Sequence, residues 1–271
     1  MQIEVKLPRV LGADNSSIRE IFLGTPVDLL TMRQTVDMAT RAMRLRSKIT
    51  HVALNVAKLV RMTTDPVLRA DVVASDLIVA DGMGLLWGAK LLGVRIPERV
   101  AGIDLMWNVL GECGQNGFRP FFLGATRHVV EAAAKAALAA YPKLQMAGIH
   151  DGYFAHEKTP EIVAKINDSR ADCLFVGLPT PRKEHFLAEY RQKLNVPFVM
   201  GVGGSFDVIG GKVPRAPRWM QDSGLEWLFR TVQEPRRLAW RYANTNSKFL
   251  LLVVKELLKS RVNPGPREKA R

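Results

Sequence analysis

An aspartate stands directly after a short apolar run in this sequence and is flanked by glycines. Residues 77–80 read L-I-V-A, which is typical of a buried strand, and Asp81 precedes Gly82 and Gly84. A carboxylate at the mouth of a buried strand can act as a general base, and glycines beside it let a ligand approach closely. The same carboxylate can also cap the helix that follows. The stretch therefore predicts either a catalytic base or a helix cap at Asp81.

A second glycine-rich stretch, residues 201–207, also follows an apolar run. Its backbone N–H groups, including those of Gly203 and Gly204, can cradle a phosphate. The stretch lacks both the G-x-G-x-x-G dinucleotide fingerprint and the Gly-Lys-Ser/Thr of a P-loop. A tight strand-to-helix turn explains the glycines equally well, so phosphate binding and turn geometry both stay open.

Two adjacent cations mark the predicted start of a helix. Arg182 and Lys183 follow the P-T-P of residues 179–181. The helix dipole disfavours cations at this end of a helix. An anionic ligand would remove that penalty, which makes Lys183 a candidate substrate-binding residue.

The sequence supports neither a metal site nor a serine-hydrolase site. The five histidines show no metal-ligand spacing, and Cys113 and Cys173 form no C-x-x-C pair. A G-x-S-x-G nucleophile elbow is missing from the sequence. We therefore expect no metal, no other cofactor and a reducing compartment.

The segments that must position these residues alternate between short strands and longer helices. Strands are predicted over residues 51–56, 76–80, 119–124, 173–177 and 196–201, and helices over residues 30–43, 129–141, 161–167 and 182–194. The first helix is expected to begin near Thr25 or Pro26. This alternation predicts an α/β fold with a Rossmann-like, mostly parallel sheet and helices on both faces. Such sheets bind ligands at the carboxyl ends of their strands, where Asn55 and Asp81 would lie.

A basic appendage follows this core. Of the net charge of +13, +9 lies between Lys212 and Arg271, where fourteen Lys and Arg stand against five Asp and Glu. We expect a core over residues 1–211, a basic helical appendage over 212–262 and a disordered tail over 263–271. Arginines and tryptophans in the appendage predict either helices packed on the core or an interfacial helix on an anionic membrane. We expect no secretory signal, and no apolar run approaches the ~20 residues of a membrane span.

Eight segments, taken together and in this order, resemble the WecG/TagA/CpsF glycosyltransferases of bacterial surface polysaccharide synthesis. They are V-A-L-N (52–55), A-D-G-M-G (80–84), P-E-R-V-A-G-I-D (97–104), F-L-G-A (122–125), G-Y-F (152–154), V-G-L-P-T-P-R-K-E (176–184), G-V-G-G-S-F-D (201–207) and an arginine-rich series from 215 to 238. The resemblance covers most of the chain, because the segments extend from the first strands into the appendage.

The resemblance implies an inverting, metal-independent transferase. Such an enzyme moves a sugar from a nucleotide diphosphate donor, here a UDP-sugar, to a polyprenyl-diphosphate-linked acceptor in exopolysaccharide, capsule or related glycan synthesis. The family's general base falls on Asp81, which favours chemistry over capping. Asn55 and Arg99 match positions in the same pocket, and Arg99 would stabilise the leaving diphosphate.

The resemblance also assigns the appendage a role at the cytoplasmic face of the membrane, where family members act as peripheral proteins. Arg230 and Arg237 match arginines that grip phosphate, and Arg236 is a neighbour that can share this task. We therefore expect an anionic membrane surface as a partner and no nucleic acid. An appendage that contributes to a site also allows a homo-oligomer.

Three features depart from the family pattern, and one of them is that the pattern predicts a further arginine near Trp240. Family members often carry Thr where this chain has Ala53, and Gln where it has Lys183. Both fall in the implied pocket, which leaves the donor open between N-acetylmannosaminyl and glucosyl types; Lys183 can pair with a diphosphate or with a uronic carboxylate. The alternative from another class is a non-catalytic basic protein that binds membrane or nucleic acid.

Overall fold

A six-stranded parallel sheet forms the centre of the protein, and the predicted fold class is confirmed. The computed structural model describes residues 19–233 and 235–262, apart from the side chains of Asp222, Arg237, Leu238 and residues 260–262. The strands are β1 (Arg19–Phe22), β2 (Thr25–Asp28), β3 (Ile49–Leu54), β4 (Leu77–Ala80), β5 (Pro120–Gly124), β6 (Gly148–His150), β7 (Cys173–Gly177) and β8 (Phe198–Gly201). The sheet order is β4-β3-β8-β7-β5-β6, and β1 and β2 form a separate antiparallel hairpin.

Helices connect the strands and continue beyond the last one. They are α1 (Met32–Leu45), α2 (Val56–Met62), α3 (Pro66–Val73), α4 (Met83–Leu91), α5 (Gly102–Asn116), α6 (Arg127–Ala140), α7 (Thr159–Asp168), α8 (Arg182–Tyr190), α9 (Ser205–Ile209), α10 (Arg218–Asp222), α11 (Glu226–Gln233) and α12 (Pro235–Val262). A 3₁₀ turn, His156–Lys158, precedes α7.

Both faces of the sheet are covered by helices, and this explains the continuous apolar runs of its strands. Successive side chains of a strand point to opposite faces. In β5, Phe121 and Leu123 pack in one core with residues of α7, α8 and α12. Phe122 lies in the other core, with residues of α1, α5 and α6. All three side chains are buried, so the strand shows no polar alternation.

The region before the sheet differs from its prediction. Thr25 and Pro26 lie in β2, and α1 begins at Met32. Thr31 caps this helix: its hydroxyl accepts the Gln34 N–H at 3.2 Å, and the Gln34 side chain accepts the Thr31 N–H at 2.9 Å. This capping box was present in the sequence as T-x-x-Q. The prediction was wrong because β1 and β2 read R-E-I-F and T-P-V-D and so lack the continuous apolar run that marks the buried strands. The three-residue β6 was missed for the same reason.

The appendage folds as three helices, and part of it packs on the core. Gly224, with φ of +71°, separates α10 from α11. The long α12 crosses α2 and α4, where a Cβ added to Gly88 would lie 2.5 Å from Phe249 Cζ. Phe249 and Val253 are buried in the core. Within the described residues, no helix is long and apolar enough to cross a membrane. The core–appendage boundary stays a prediction, and the tail over 263–271 lies outside the described residues.

Candidate functional site

Three neighbouring strands end at one edge of the sheet and bring the predicted residues together. Asn55 follows β3 and Asp81 follows β4, and these parallel strands pair Leu54 with Ala80. The glycine-rich stretch 201–207 begins at the end of β8, on the other side of β3. The parallel sheet thus places these strand ends side by side, as the alternating pattern predicted.

Asp81 does not cap the helix that follows it. Gly82 is the N-cap of α4, and no side chain makes a capping hydrogen bond there. The Asp81 N–H donates to the Leu54 carbonyl at 2.6 Å, which ties the turn to β3. The carboxylate instead accepts the backbone N–H of Gly102, the first residue of α5. The capping interpretation for α4 is therefore wrong, and the carboxyl group lies beside Gly102 at the start of α5. The charged region around Asp81, which includes Lys58, Arg99 and Glu226, is here called the pocket.

The charges around Asp81 act on its acidity in both directions. Burial raises the pKa of Asp81 above its ordinary value, and the carboxylate of Glu226 raises it further. Arg99 and Lys58 lower this pKa, as does the hydrogen bond from Gly102. The net result is a raised pKa, so Asp81 holds its proton to a higher pH than an exposed aspartate does.

The two glycines beside Asp81 have different surroundings. Gly82 has φ of +127°, which disfavours any residue with a Cβ, and no described heavy atom lies within 4 Å of the point where a Cβ would be. A Cβ on Gly84 would lie 3.1 Å from Val56 Cγ2. Gly82 therefore borders open space, whereas the packing of α4 on α2 by itself explains Gly84. The role of Gly84 in substrate binding stays a prediction.

Asn55 has a structural role at the start of α2. It is the N-cap of this helix, and its Oδ1 accepts the Lys58 N–H at 2.9 Å. Capping leaves the amide partly exposed beside Asp81 at the sheet edge. Its position fits a pocket residue, and a role in the reaction stays a prediction.

A buried cluster of two lysines and one glutamate lies at the same edge. Lys58 Nζ lies 2.9 Å from Glu184 Oε1 and donates to the Ala53 carbonyl at 2.7 Å. Lys183 Nζ lies 3.3 Å from the same Glu184 oxygen, which also accepts the Thr180 hydroxyl at 3.2 Å. One carboxylate therefore serves two ammonium groups, and this lysine–glutamate cluster carries a net positive charge.

The pKa values of this cluster reflect its burial. Burial lowers the pKa of Lys183 to about 8, and Lys58 acts in the same direction, while Glu184 opposes both. Burial alone would raise the pKa of Glu184, but the two lysines outweigh it and hold the value at about 2. Glu184 is therefore ionised at neutral pH, and the ammonium of Lys183 loses its proton in mildly alkaline solution.

The glycine-rich stretch provides the wall against which Lys183 packs. A Cβ on Gly201 would lie 2.8 Å from Lys183 Cδ and Cε, so only glycine fits there. A Cβ on Gly203, which has φ of +53°, would lie 3.7 Å from Lys183 Nζ. Gly204 is exposed. The stretch thus brings the Lys183 ammonium close to the surface formed by Gly203 and Gly204.

A neutral histidine lies beneath this cluster on β3. His51 is fully buried, and neither ring nitrogen has a hydrogen-bond partner in the part of the chain that the structure describes. Burial, together with the charges of Lys58 and Lys183, lowers its pKa to about 3. His51 therefore adds no charge to the pocket.

The positive charge of Arg182 is satisfied by partners within the protein. Its guanidinium donates to the carbonyls of Gly152 at 3.0 Å and Phe154 at 2.7 Å, and it lies 4.4 Å from the Phe154 ring centroid. It therefore fixes the loop after β6. The expectation that an anion compensates both cations at this helix start is wrong for Arg182, because backbone carbonyls do so.

The appendage reaches the pocket through Glu226 of α11. Arg99 Nη1 lies 3.3 Å from Glu226 Oε2, and Arg230 Nη2 lies 3.8 Å from Glu226 Oε1. A second link joins Arg215 Nη2 to Asp104 Oδ2 of α5 at 2.7 Å. Arg99 and Arg230, both predicted at the site, are thus connected through a carboxylate that the sequence did not single out.

The remaining appendage arginines stand apart from this arrangement. Arg236 is exposed near the start of α12, and no described contact connects it with Asp81 or Arg99. The side chain of Arg237 lies outside the described residues. Substrate binding by these two arginines stays a prediction.

Sequence reasoning missed three charged residues of the pocket: Lys58, Glu184 and Glu226. Lys58 stands three positions after Asn55, and Glu184 directly follows Lys183, so nearness to a predicted residue was a weak signal. Glu226 carried no local signal, because it meets Arg99 across 127 positions of sequence.

The side chains that could hold a metal ion are dispersed. Among the described residues, no group of three or more His, Cys, Asp or Glu side chains is arranged to bind one. Cys113 and Cys173 are buried and unbridged, with their sulfur atoms 3.6 Å apart. Metal independence stays a prediction.

Similarity to known proteins agrees with the resemblance in the sequence. The model of the family described as "Glycosyl transferase WecG/TagA/CpsF family" matches residues 20–263. The chain is similar to the N-acetylglucosaminyldiphosphoundecaprenol N-acetyl-beta-D-mannosaminyltransferase of Bacillus spizizenii (strain ATCC 23059 / NRRL B-14472 / W23), with 35% identity over 191 residues, 70% of this chain and 73% of the relative. The protein of the same name from Bacillus subtilis (strain 168) is 35% identical over 184 residues, 68% of this chain and 70% of the relative. This chain belongs to the WecG/TagA/CpsF family of glycosyl transferases.

Proposed function

We propose that this protein transfers a sugar from a nucleotide diphosphate donor to a polyprenyl-diphosphate-linked acceptor. The names of two relatives describe transfer of N-acetylmannosamine to N-acetylglucosaminyldiphosphoundecaprenol, which supports the lipid-linked acceptor. The observation that carries the proposal is the Asp81 carboxyl group, which lies at the carboxyl edge of the sheet among Arg99, Lys58 and Glu226 and does not cap α4. The proposed place of the reaction is surface glycan synthesis.

Asp81 is the proposed general base. It takes the proton of an acceptor hydroxyl while the hydroxyl oxygen attacks the anomeric carbon of the donor. The new C–O bond forms as the bond from the anomeric carbon to the diphosphate breaks, and attack opposite to the leaving group inverts the configuration. A base works best when its pKa approaches the working pH, and the raised pKa of Asp81 is a shift in this direction.

The leaving group needs positive charge beside it. Arg99 and the ammonium of Lys183 both interact electrostatically with Asp81, which supports placing the diphosphate of the donor beside these two cations. Fixed cations that face a developing diphosphate charge stabilise the transition state without metal. We assign Arg99 and Lys183 to the donor diphosphate, with the backbone of Gly203 and Gly204 beside it and Gly82 leaving room for the acceptor.

The finer identity of the donor rests on the family. A UDP-sugar is the proposed donor and the reaction is proposed to be metal-independent. Lys183 and Ala53 depart from the family pattern at the pocket, so the transferred sugar lies between the N-acetylmannosaminyl and glucosyl types. A uronic sugar is the further option that Lys183 permits, because its ammonium can pair with a carboxylate.

The appendage is proposed to dock on the inner face of the cytoplasmic membrane. Its exposed large apolar side chains are Trp219, Trp227, Leu228, Val232, Trp240, Leu250, Leu251, Val254 and Leu258. Arg218, Arg236 and Arg241 are exposed on the same helices and can meet anionic head groups. Docking would present the lipid-linked acceptor to Asp81. Homo-oligomerisation stays a prediction, as does the absence of nucleic acid among the partners.

The test is transfer from a panel of labelled UDP-sugars to lipid-linked acceptors in membranes, with the wild-type protein, Asp81→Asn and a chelator control. We expect transfer from one donor, persistence in chelator, and a loss of about 100-fold or more in the folded variant, since a general base contributes about 10²–10⁴-fold. Full activity of Asp81→Asn would remove this residue as the base. No transfer with confirmed acceptor present, together with vesicle binding, would favour the non-catalytic membrane-binding alternative.

A further inference from the structure

Glu226 is an appendage residue with a charge at the centre of the proposed active site. Its Oε2 lies 3.3 Å from Arg99 Nη1, and the two side chains are only 19% and 16% exposed. Its Oε1 lies 3.8 Å from Arg230 Nη2. Because α11 carries no residue of the sheet, this carboxylate enters the pocket only when the appendage is docked on the core.

The surroundings of Asp81 set Glu226 apart. The described charged groups that interact with Asp81 come from α2, α8, the segments before α5 and α10, and α11: Lys58, Lys183, Arg99, Arg215 and Glu226. The first four are cations, and Glu226 is the carboxylate. Arg99 thus interacts electrostatically with two carboxylates, and its direct ion pair is with Glu226.

We propose that Glu226 is a positioning residue, which holds the Arg99 guanidinium in a direct ion pair and so keeps it from pairing with Asp81. The inference rests on the proposed function, in which Asp81 is the base and Arg99 faces the leaving diphosphate. It adds an acidic appendage residue that acts through Arg99 and need not touch substrate.

The physical reason is competition for one guanidinium. An arginine without a partner beside an aspartate forms the stronger charge-assisted pair with it. That pair would favour the ionised form of Asp81 and weaken it as a base. Glu226 offers Arg99 a second carboxylate and places negative charge near Asp81, and both effects keep the pKa of Asp81 raised. Without Glu226, Arg99 is free to turn towards Asp81. Arg99 would then no longer face the leaving diphosphate, and Asp81 would be a weaker base.

The experiment compares wild-type protein, Glu226→Gln and Glu226→Asp as full-length chains, with Glu256→Gln as matched control. Glu256 is also an appendage glutamate, but it pairs with Lys259 on the exposed side of α12. For Glu226→Gln we expect kcat to fall by roughly ten- to a hundredfold, as misplaced catalytic groups do. The acid limb of the pH–kcat profile should move to lower pH, because Asp81 then ionises more easily. Glu226→Asp should restore the limb in part, and Glu256→Gln should match the wild type.

A second measurement separates this inference from the proposed function. The carboxyl ¹³C shift of Asp81, assigned with Asp81→Asn, reports its titration without any substrate. A lower titration midpoint in Glu226→Gln than in wild type supports the inference, whether or not any donor is turned over. Absence of turnover in the wild type would count against the proposed function alone. Coincident midpoints in folded wild type and Glu226→Gln overturn the inference, and transfer by the wild type would then leave the proposed function intact.

Discussion

The pocket and the appendage handle positive charge in different ways. In the pocket, the Lys58 and Lys183 side chains are 5% and 8% exposed and share the Glu184 carboxylate. On the appendage, Arg236 and Arg241 are exposed to solvent. A buried charge needs a partner within the fold, because removal from water costs several kcal/mol. An exposed arginine has no such requirement, and its surface ion pairs are weak.

The comparison teaches which charges belong to the fold and which remain available to partners. The two lysines of the lysine–glutamate cluster pair with Glu184 inside the protein. Because one carboxylate faces two ammonium groups, a net positive charge remains for an anionic ligand. The exposed appendage arginines carry charge that a membrane can neutralise. Glu226 belongs to both regions, since it is on the appendage but pairs in the pocket.

Removing Glu184 should produce the largest effect on stability. Glu184→Ala leaves two buried lysines without their carboxylate, and we expect the free energy of unfolding to fall by about 3–5 kcal/mol. The exposed counterpart, Glu256→Ala, should change it by less than about 0.5 kcal/mol. Urea unfolding followed by circular dichroism measures both. Equal losses in the two variants would show that burial does not separate these glutamates.

The same pair of variants predicts a pH dependence. The pKa of Glu184 is held at about 2, below its ordinary value, so its ionised form stabilises the folded state at neutral pH. This contribution is lost as pH falls towards 2. The stability difference between wild type and Glu184→Ala should therefore shrink in acid, whereas that of Glu256→Ala should stay small throughout.

Two neighbouring residues of α12 allow buried and exposed side chains to be compared within one helix. Phe249 is 9% exposed and packs on Gly88, whereas Leu250 is 60% exposed. Phe249→Ala should lower the free energy of unfolding by about 3 kcal/mol through the cavity it leaves. Leu250→Ala should change stability by less than about 0.5 kcal/mol but weaken binding to phosphatidylglycerol vesicles. Thermal unfolding and vesicle co-sedimentation measure these effects, and unchanged vesicle binding by Leu250→Ala would remove this face from membrane docking.

Lys183→Gln should have a smaller effect, which includes weaker donor binding. We expect the donor KM to rise by roughly tenfold, as a charge-assisted hydrogen bond to the diphosphate is lost. In the wild type, the KM should rise as pH passes about 8, because Lys183 then loses its proton. This alkaline rise should be missing in Lys183→Gln and preserved in Lys90→Gln, a control on the exposed side of α4. Steady-state kinetics from pH 6 to about 9 span both protonation states of an amine with this pKa. A persistent rise in Lys183→Gln would assign it to another group.

Local patterns predicted the sheet and part of the pocket. Five of the six sheet strands follow from apolar runs, and the residues after β3 and β4 were identified because strand ends of a parallel sheet share an edge. The sequence placed Asp81 correctly at this edge but also allowed it to cap α4. The structure excludes that second role, because Gly82 is the N-cap of α4 and no side chain makes a capping hydrogen bond there. The hairpin β1–β2 was missed because its strands, R-E-I-F and T-P-V-D, lack the continuous apolar run that identified the equally short β4 and β8.

By itself, the sequence determined five of the six sheet strands, several of the helices, the family and the charge of the two regions. These depend on residue type and on spacing along the chain, and both are local properties. Only the tertiary structure decided the order of the strands and which charges meet: Lys58 with Glu184, and Arg99 with Glu226 across 127 positions. The physical reason is that a buried ion pair is decided by where packing brings distant segments together. Hydrophobic periodicity specifies which face of each element is buried, but not which neighbour covers it.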